Sequence, residues 1–354
     1  MNLSCGIVGL PNAGKSTLFN ALIQKQQALS ANYPFATIEP NVGIVPVNDP
    51  RLEILAKIVD TKNIIPSTIK FVDIAGLVKG AHEGEGLGNK FLSHIREVDL
   101  IVHVLRNFDD GDVVQTGSGN ALEDFNTIKT ELILADLQTL EKQSEPKGNS
   151  TPEEKHFWKV VIKAKKGLSD GSSINEMEWS EDEKELLSPL FLLSGKPTIF
   201  ILNVGENQIR ESKNIEKKFS KQPCISICAK IESELVEFTK KERQEYLKEN
   251  GLEQTGLDRL VTTAFFRLNL ISFLTAGEKE VRSWTIENNT LAPQAAGVIH
   301  SDFETNFIKA QVCSYENFTK VGGWQKAKEN GLTRMEGRDY KVRSDDIIEF
   351  MIGK

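Results

Sequence analysis

Short apolar runs alternate with helical patterns through the first third of the chain and return near residue 200. Strands separated by helices in this way are typical of a mostly parallel sheet with helices on both faces. The pattern therefore predicts an α/β domain. Its strand-length apolar runs lie at 3–8, 69–74, 99–105, 197–203 and 223–228.

A different pattern occupies the stretch between these halves. Phe125, Ile128 and Leu132 recur at helical spacing, and a linker rich in Ser, Pro and Gly at 144–152 precedes a second helical pattern. Apolar side chains at this spacing form a buried stripe more often than a binding surface. We predict a helical, coiled-coil-like insertion at 126–189.

The pattern changes again in the last quarter of the chain. Residues 279–286 alternate as a strand, 292–300 read as a short helix, and 346–352 form a closing strand. Strands around one helix indicate a separate α+β module, which we place at 270–354. The α/β domain would then comprise residues 1–125 and 190–268.

Composition narrows the classes that need consideration. The chain has 354 residues, 39% of them hydrophobic and 26% charged, as in a globular protein, and it has no apolar run of membrane-spanning length. Four cysteines without a zinc-site pattern favour structural thiols and a cytoplasmic protein. The net charge of −7 argues against indiscriminate nucleic-acid binding, and no specific DNA partner is expected. Between Lys320 and Arg343, however, seven Lys/Arg face three Asp/Glu, which is either a solvated face or an RNA contact.

Residues 9–16 read Gly-Leu-Pro-Asn-Ala-Gly-Lys-Ser, a complete phosphate loop between an apolar strand and a helix. Glycines let successive backbone N–H groups point at phosphate oxygens, and the helix N-terminus adds partial positive charge. Lys15 would reach the β- and γ-phosphates, and the Ser16 hydroxyl would ligate Mg²⁺. The α/β domain is therefore predicted to bind a nucleoside triphosphate. The loop residues predicted to contact it are Asn12, Ala13, Gly14, Lys15, Ser16 and Thr17.

Further motifs complete the expected metal and γ-phosphate site. Asp73 ends an apolar strand as the first residue of D-x-x-G and would hold Mg²⁺ through a water, while the Gly76 N–H would sense the γ-phosphate. Thr37 lies in the Pro-bounded segment 33–41, where a switch threonine would complete the metal shell. The alternative for Thr37 is an ordinary turn.

These motifs, with the run Asp-Ile-Ala-Gly-Leu-Val-Lys-Gly-Ala-His-Glu-Gly-Glu-Gly-Leu-Gly-Asn-Lys-Phe at 73–91, closely resemble those of the YchF/Obg-like ATPases. The resemblance covers the whole chain. It implies a P-loop NTPase with a Ras-like G domain, a helical domain and a C-terminal β-grasp TGS domain. It also implies ATP as the nucleotide, a ribosomal partner with rRNA contact, and a role in translation or stress regulation.

Base recognition departs from that of related GTPases, which use Asn-Lys-x-Asp after a buried strand. Here the corresponding residues 203–206 are Asn-Val-Gly-Glu. Glu206 stands where these GTPases have Asp, so its carboxylate no longer lies at the depth that guanine requires. Two guanine-specific hydrogen bonds are then lost, so ATP is favoured and GTP is expected to bind more weakly. The resemblance implies that Asn203 and Val204 contact adenine, with Phe108 packing nearby.

The group that positions the attacking water is not evident. The residue after D-x-x-G is Leu77, which cannot orient water as the glutamine of Ras-like enzymes does. The resemblance points to His103 as catalytic, although a histidine in an apolar strand is as often a core residue, and His82 is better explained as a solvated loop residue. Asn12 could help to coordinate K⁺ beside the β–γ bridge, or it could only stabilise the loop.

Alternative functions remain open at this stage. One is a GTP-dependent Obg-type ribosome assembly factor, and base selectivity would distinguish it. The other is a nucleotide-gated binding module with negligible turnover, which Leu77 would explain and which turnover measurements would distinguish.

Overall fold

The computed structural model describes residues 3–30, 41–74, 89–108, 121–217 and 223–353. Its strands are β1 Ser4–Val8, β2 Val42–Pro46, β3 Ile64–Ile65, β4 Thr68–Asp73, β5 Leu100–Asn107, β6 Thr198–Val204, β7 Cys224–Ile227, β8 Leu270–Ala276, β9 Val281–Glu287, β10 Phe307–Ser314, β11 Arg334–Glu336 and β12 Asp346–Ile352. Its α-helices are α1 Lys15–Ser30, α2 Arg51–Ile58, α3 Asn89–Glu97, α4 Ala121–Glu141, α5 Pro152–Ser169, α6 Glu181–Leu187, α7 Ser212–Lys217, α8 Ala229–Glu237, α9 Lys240–Glu249, α10 Gly256–Arg267, α11 Ala292–Ile299, α12 Ser301–Thr305, α13 Tyr315–Val321 and α14 Trp324–Glu329.

The first sheet has the strand order β2-β4-β1-β5-β6-β7. Only β2 runs antiparallel to its neighbour, and the other strands are parallel. Strands β1 and β5 are buried throughout most of their length because helices cover both faces, which explains their continuous apolar runs. The α/β fold predicted from the alternating pattern is confirmed.

The second sheet has the order β11-β10-β12-β8-β9-β3 and carries α11 on one face. It confirms the α+β module, and it adds β8 and β10, which the apolar pattern had not predicted. One strand comes from far outside the module, because Ile64 and Ile65 of β3 pair with Val281 and Arg282 of β9. Helix α2 packs on the same sheet through Leu55. Residues 51–65 therefore contact the second sheet although they lie within the range 1–125.

Helices α4, α5 and α6 form the region between the halves of the first sheet. The side chain of Thr151 caps α5 in a reciprocal pair with Glu154, which fixes the start of that helix. Buried Asp136 on α4 accepts hydrogen bonds from the backbone N–H groups of Leu193 at 2.7 Å and Ser194 at 2.8 Å. These bonds connect the helical region to the segment that leads into β6.

The cysteines Cys5, Cys224, Cys228 and Cys313 are free thiols. Among the described residues, no helix combines the length and apolar character that crossing a lipid bilayer requires.

Candidate nucleotide-binding site

The loop between β1 and α1 is shaped by two glycines with left-handed backbone. Gly9 has a φ of 153°, and a Cβ at this position would collide with the Val104 carbonyl of β5. Gly14 has a φ of 90°, and a Cβ at this position would collide with the side-chain amide of Asn203. Glycine is required at both positions for conformation and for close approach.

Lys15 lies where this loop leads into α1 and is only 6% exposed. Its Nζ donates a hydrogen bond to the Leu10 carbonyl at 2.6 Å. Burial lowers the pKa of Lys15 to about 8, and the nearby Asp73 carboxylate offsets part of that decrease. A buried ammonium held by a backbone carbonyl can exchange that acceptor for a phosphate oxygen.

Asn203 connects the loop to the far wall of the site. Its Nδ2 donates to the Ala13 carbonyl at 3.0 Å, and its Oδ1 accepts from the Ala229 backbone N–H at 3.1 Å. The side chain is buried, so both bonds are shielded from water. Asn203 therefore fixes the start of α8 against the phosphate loop.

These elements enclose a cleft of about 720 Å³, a size that is typical of small-ligand sites. Among the sequence-predicted contacts, only Ala13 is not a lining residue, and it contributes its carbonyl to Asn203 instead. The lining residues are Asn12, Gly14, Lys15, Ser16, Thr17, Phe108, Asn203, Val204, Gly205, Glu206, Asn207, Cys228, Ala229 and Lys230.

The end of the cleft opposite the phosphate loop includes residues that sequence reasoning had missed. Lys230 pairs with Glu206 at 2.8 Å across this end, and Cys228 and Ala229 lie beside it. Burial raises the pKa of the Cys228 thiol, so this group stays protonated and unreactive. The signal was present in the sequence, since Cys-Ala-Lys directly follows one buried strand and the Asn-Val-Gly-Glu run spans the end of another.

The predicted Mg²⁺ ligands are described only in part. Ser16 lines the cleft, and Asp73 lies at the end of β4, paired in register with Ile7 of β1 and close enough to Lys15 to affect its pKa. A hydroxyl and a carboxylate are the hard oxygen ligands that Mg²⁺ prefers. Thr37, like Gly76, Leu77 and His82, lies outside the described residues.

His103 lies apart from the cleft. Its ring packs between Phe125 and Phe200, with centroid separations of 6.3 and 5.8 Å, and borders a cavity of about 40 Å³ on the α4 side of the sheet. Burial, reinforced by the charge of Lys15, lowers the pKa of His103 to about 3. Its Nε2 has no hydrogen-bond partner within the described ranges. The catalytic role of His103 stays a prediction.

Comparison with known proteins agrees with this architecture. A family model described as 50S ribosome-binding GTPase matches residues 4–135, and the YchF-GTPase_C model, described as a protein of unknown function (DUF933), matches residues 270–353. The protein named ribosome-binding ATPase YchF is similar in Bacillus subtilis (44% identity) and in Haemophilus influenzae (45%), each over 99% of both chains. The structure of the Schizosaccharomyces pombe YchF GTPase has a TM-score of 0.90 and 35% identity, and it covers 99% of this chain and 98% of its own.

The phosphate loop on a Ras-like sheet and the cleft beside it define the class as the P-loop NTPases. Whole-chain identity and the shared C-terminal module narrow this further. The chain belongs to the YchF family.

Proposed function

We propose that this chain is an Mg²⁺-dependent ATPase switch of the cytoplasm that binds the ribosome and regulates translation or a stress response. The observation that carries the proposal is the cleft that joins the phosphate loop to Asn203, Val204 and Lys230. Bound Mg²⁺ would supply charge stabilisation at the phosphates, and Ser16, Asp73 and Thr37 would hold it.

ATP preference rests on the residues opposite the phosphate loop. Val204 replaces the lysine that covers guanine in related GTPases, and the carboxylate of Glu206 is engaged by Lys230 at 2.8 Å. A guanine ring would then lack its carboxylate acceptor, whereas adenine does not need it. The relatives named ribosome-binding ATPase support the same nucleotide.

A GTP-dependent function is the second candidate. The Schizosaccharomyces pombe neighbour is titled a GTPase, and the Glu206 carboxylate still borders the cleft. Calorimetry with ATP and GTP separates the candidates: tighter ATP binding supports the proposal, and GTP binding at least as tightly overturns it.

Slow turnover by the isolated protein is part of the proposal, because Leu77 cannot orient water. Ribosomes should accelerate hydrolysis. No turnover with or without ribosomes would leave a nucleotide-gated binding module instead.

Replacing KCl by NaCl tests the K⁺ contact proposed for Asn12, which has a left-handed φ of 62° and lines the cleft.

Ribosome binding is proposed to involve the basic residues of the C-terminal module. Arg334, Arg338, Lys341 and Arg343 are all exposed. Neutralising all of them should weaken co-sedimentation with ribosomes and leave ATP affinity unchanged. If co-sedimentation survives, the helices at 126–189 become the expected docking site.

A further inference from the structure

Phe108 is the only aromatic side chain among the described residues that line the nucleotide cleft. It is half-buried and directly follows Asn107, the last residue of β5. A Cβ built on Gly205 would lie 3.9 Å from the Cβ of Phe108, so the aromatic side chain begins beside the end of β6 that carries Val204. An aromatic ring in such a position offers a planar base a surface on which to stack.

The side chain of Arg106 contacts Phe108 in two ways. Its guanidinium carbon lies over the Phe108 ring, 4.6 Å from the centroid. Its Nε donates a hydrogen bond to the Phe108 carbonyl at 3.3 Å. A guanidinium in this position is attracted to the negative face of the ring. Arg106 therefore holds both the ring and the backbone of Phe108.

The sheet places Arg106 behind the wall of the cleft. Arg106 is paired in register with Asn203 of β6, and partners in a parallel register have their side chains on the same face of the sheet. Asn203 is the residue that connects the phosphate loop to α8. Arg106 itself is half-buried and is not a lining residue, whereas Phe108 is. Arg106 thus supports the cleft wall instead of forming its surface.

This support has a consequence for binding. A side chain that is free to change rotamer loses that freedom when a ligand stacks on it, and the loss lowers affinity. Arg106 restricts the Phe108 ring in the unliganded protein, so less freedom remains to be lost. The guanidinium covers one face of the ring, and the other face is left for a base.

We infer that Arg106 is a positioning residue for the nucleotide base, which holds the Phe108 ring in the orientation on which a purine stacks. The inference rests on the proposed nucleotide function and adds a contribution that is shared by ATP and GTP, because both bases present a π face. Val204 and Glu206 then decide which base is preferred, and Arg106 decides how tightly either base is held.

A double-mutant cycle of Arg106→Met and Phe108→Leu in the full-length protein tests this, with ATP and GTP affinities measured by calorimetry. Arg106→Met alone should weaken both nucleotides by about fivefold, the size expected for losing one cation–π contact. In the Phe108→Leu background the same change should weaken them by less than about twofold, because the ring is already gone. Arg96→Met is the matched control. Arg96 is another half-buried arginine of the same domain, and its Nη2 donates to the Thr139 hydroxyl at 3.1 Å, away from the cleft.

Inorganic tripolyphosphate provides a readout that a general structural role would move. It has no base, so its displacement of ATP from Arg106→Met should show an unchanged affinity for tripolyphosphate. A parallel loss for tripolyphosphate would overturn the inference, because it would mean that the phosphate loop is disturbed. Unchanged ATP and GTP affinities of Arg106→Met, or a fivefold loss that persists in the Phe108→Leu background, would overturn it as well.

The wild-type affinities separate this inference from the proposed function. A wild type that binds GTP at least as tightly as ATP contradicts the proposed ATP preference, and the cycle measured with GTP still decides the role of Arg106. A wild type that prefers ATP but shows additive effects of the two substitutions contradicts only the role of Arg106.

Discussion

The two ends of the nucleotide cleft are built in different ways. The phosphate end comes from one continuous segment, in which Gly9 and Gly14 set the backbone and Lys15 is 6% exposed. The opposite end is assembled from separate segments, and its ion pair of Glu206 and Lys230 has side-chain exposures of 55% and 71%. Buried charge interactions are screened far less than exposed ones. The phosphate end should therefore dominate affinity, and the opposite end should adjust which base is accepted.

Lys15→Ala breaks the phosphate end and should have the largest effect. We expect turnover to fall by about a thousandfold or more, because the lysine stabilises the charge that develops on the phosphates. The free energy of unfolding should not fall, since the buried ammonium has a lowered pKa and is itself destabilising. Turnover assays and thermal melting check this, with Lys230→Ala as the lysine control at the other end. Turnover within tenfold of wild type would contradict the assignment.

Asn203→Ala removes the connection between the two ends. Two buried hydrogen bonds, at 3.0 and 3.1 Å, are lost. At about 1 kcal/mol each, the expected loss in the free energy of unfolding is about 2 kcal/mol. Affinity should fall for ATP and GTP alike, because the phosphate loop is loosened in both cases. A loss confined to one nucleotide, measured by calorimetry, would mean that Asn203 acts on the base alone.

Val204→Lys combined with Glu206→Asp changes only the base end. Restoring the guanine-type pattern should shift the ratio of GTP to ATP affinity by tenfold or more toward GTP. Phosphate contacts are unaffected, so the double variant should still bind nucleotide. An unchanged ratio would show that base preference is decided elsewhere.

Nucleotide affinity should depend on pH through the phosphate end. Phosphates require the charged form of Lys15, whose pKa in the unliganded protein is about 8. At pH 8.5 the amine must take up a proton on binding, which lowers affinity by about fourfold relative to neutral pH. Calorimetry in buffers with different heats of ionisation measures this uptake. If Lys15→Ala still takes up the same number of protons when it binds nucleotide, the proton belongs to another group.

His103→Phe should have the smallest effect on turnover, below about threefold, because the ring lies outside the cleft in a small cavity that phenylalanine can fill. Its effect should appear in acid stability instead. A histidine with a pKa of about 3 in the folded state contributes stability above pH 6.5 that is lost as the pH falls. Wild type should therefore lose about 2 kcal/mol of unfolding free energy between pH 8 and pH 5 that the variant does not lose. A tenfold fall in turnover would instead support the catalytic role that the family resemblance implies for His103.

Long apolar patterns and contiguous motifs carried most of what could be predicted. The alternating runs predicted the parallel sheet, since a strand buried on both faces needs continuous apolar sequence. Residues 9–16 predicted the phosphate loop, because its conformation depends on its own glycines. Thr37 lies outside the described residues, so its role in the metal shell stays a prediction.

Sequence by itself thus determined the features that depend on neighbouring residues. Only the tertiary structure decided those that depend on distant ones. A strand as short as β3 has no detectable periodicity, so its pairing with β9 follows from packing alone. Lys230 meets Glu206 because β6 and β7 are adjacent parallel strands whose carboxyl ends reach the same edge of the sheet. The surroundings of His103 were likewise set by the helix that covers β5, since the strand pattern shows burial but not which face or cavity a side chain meets.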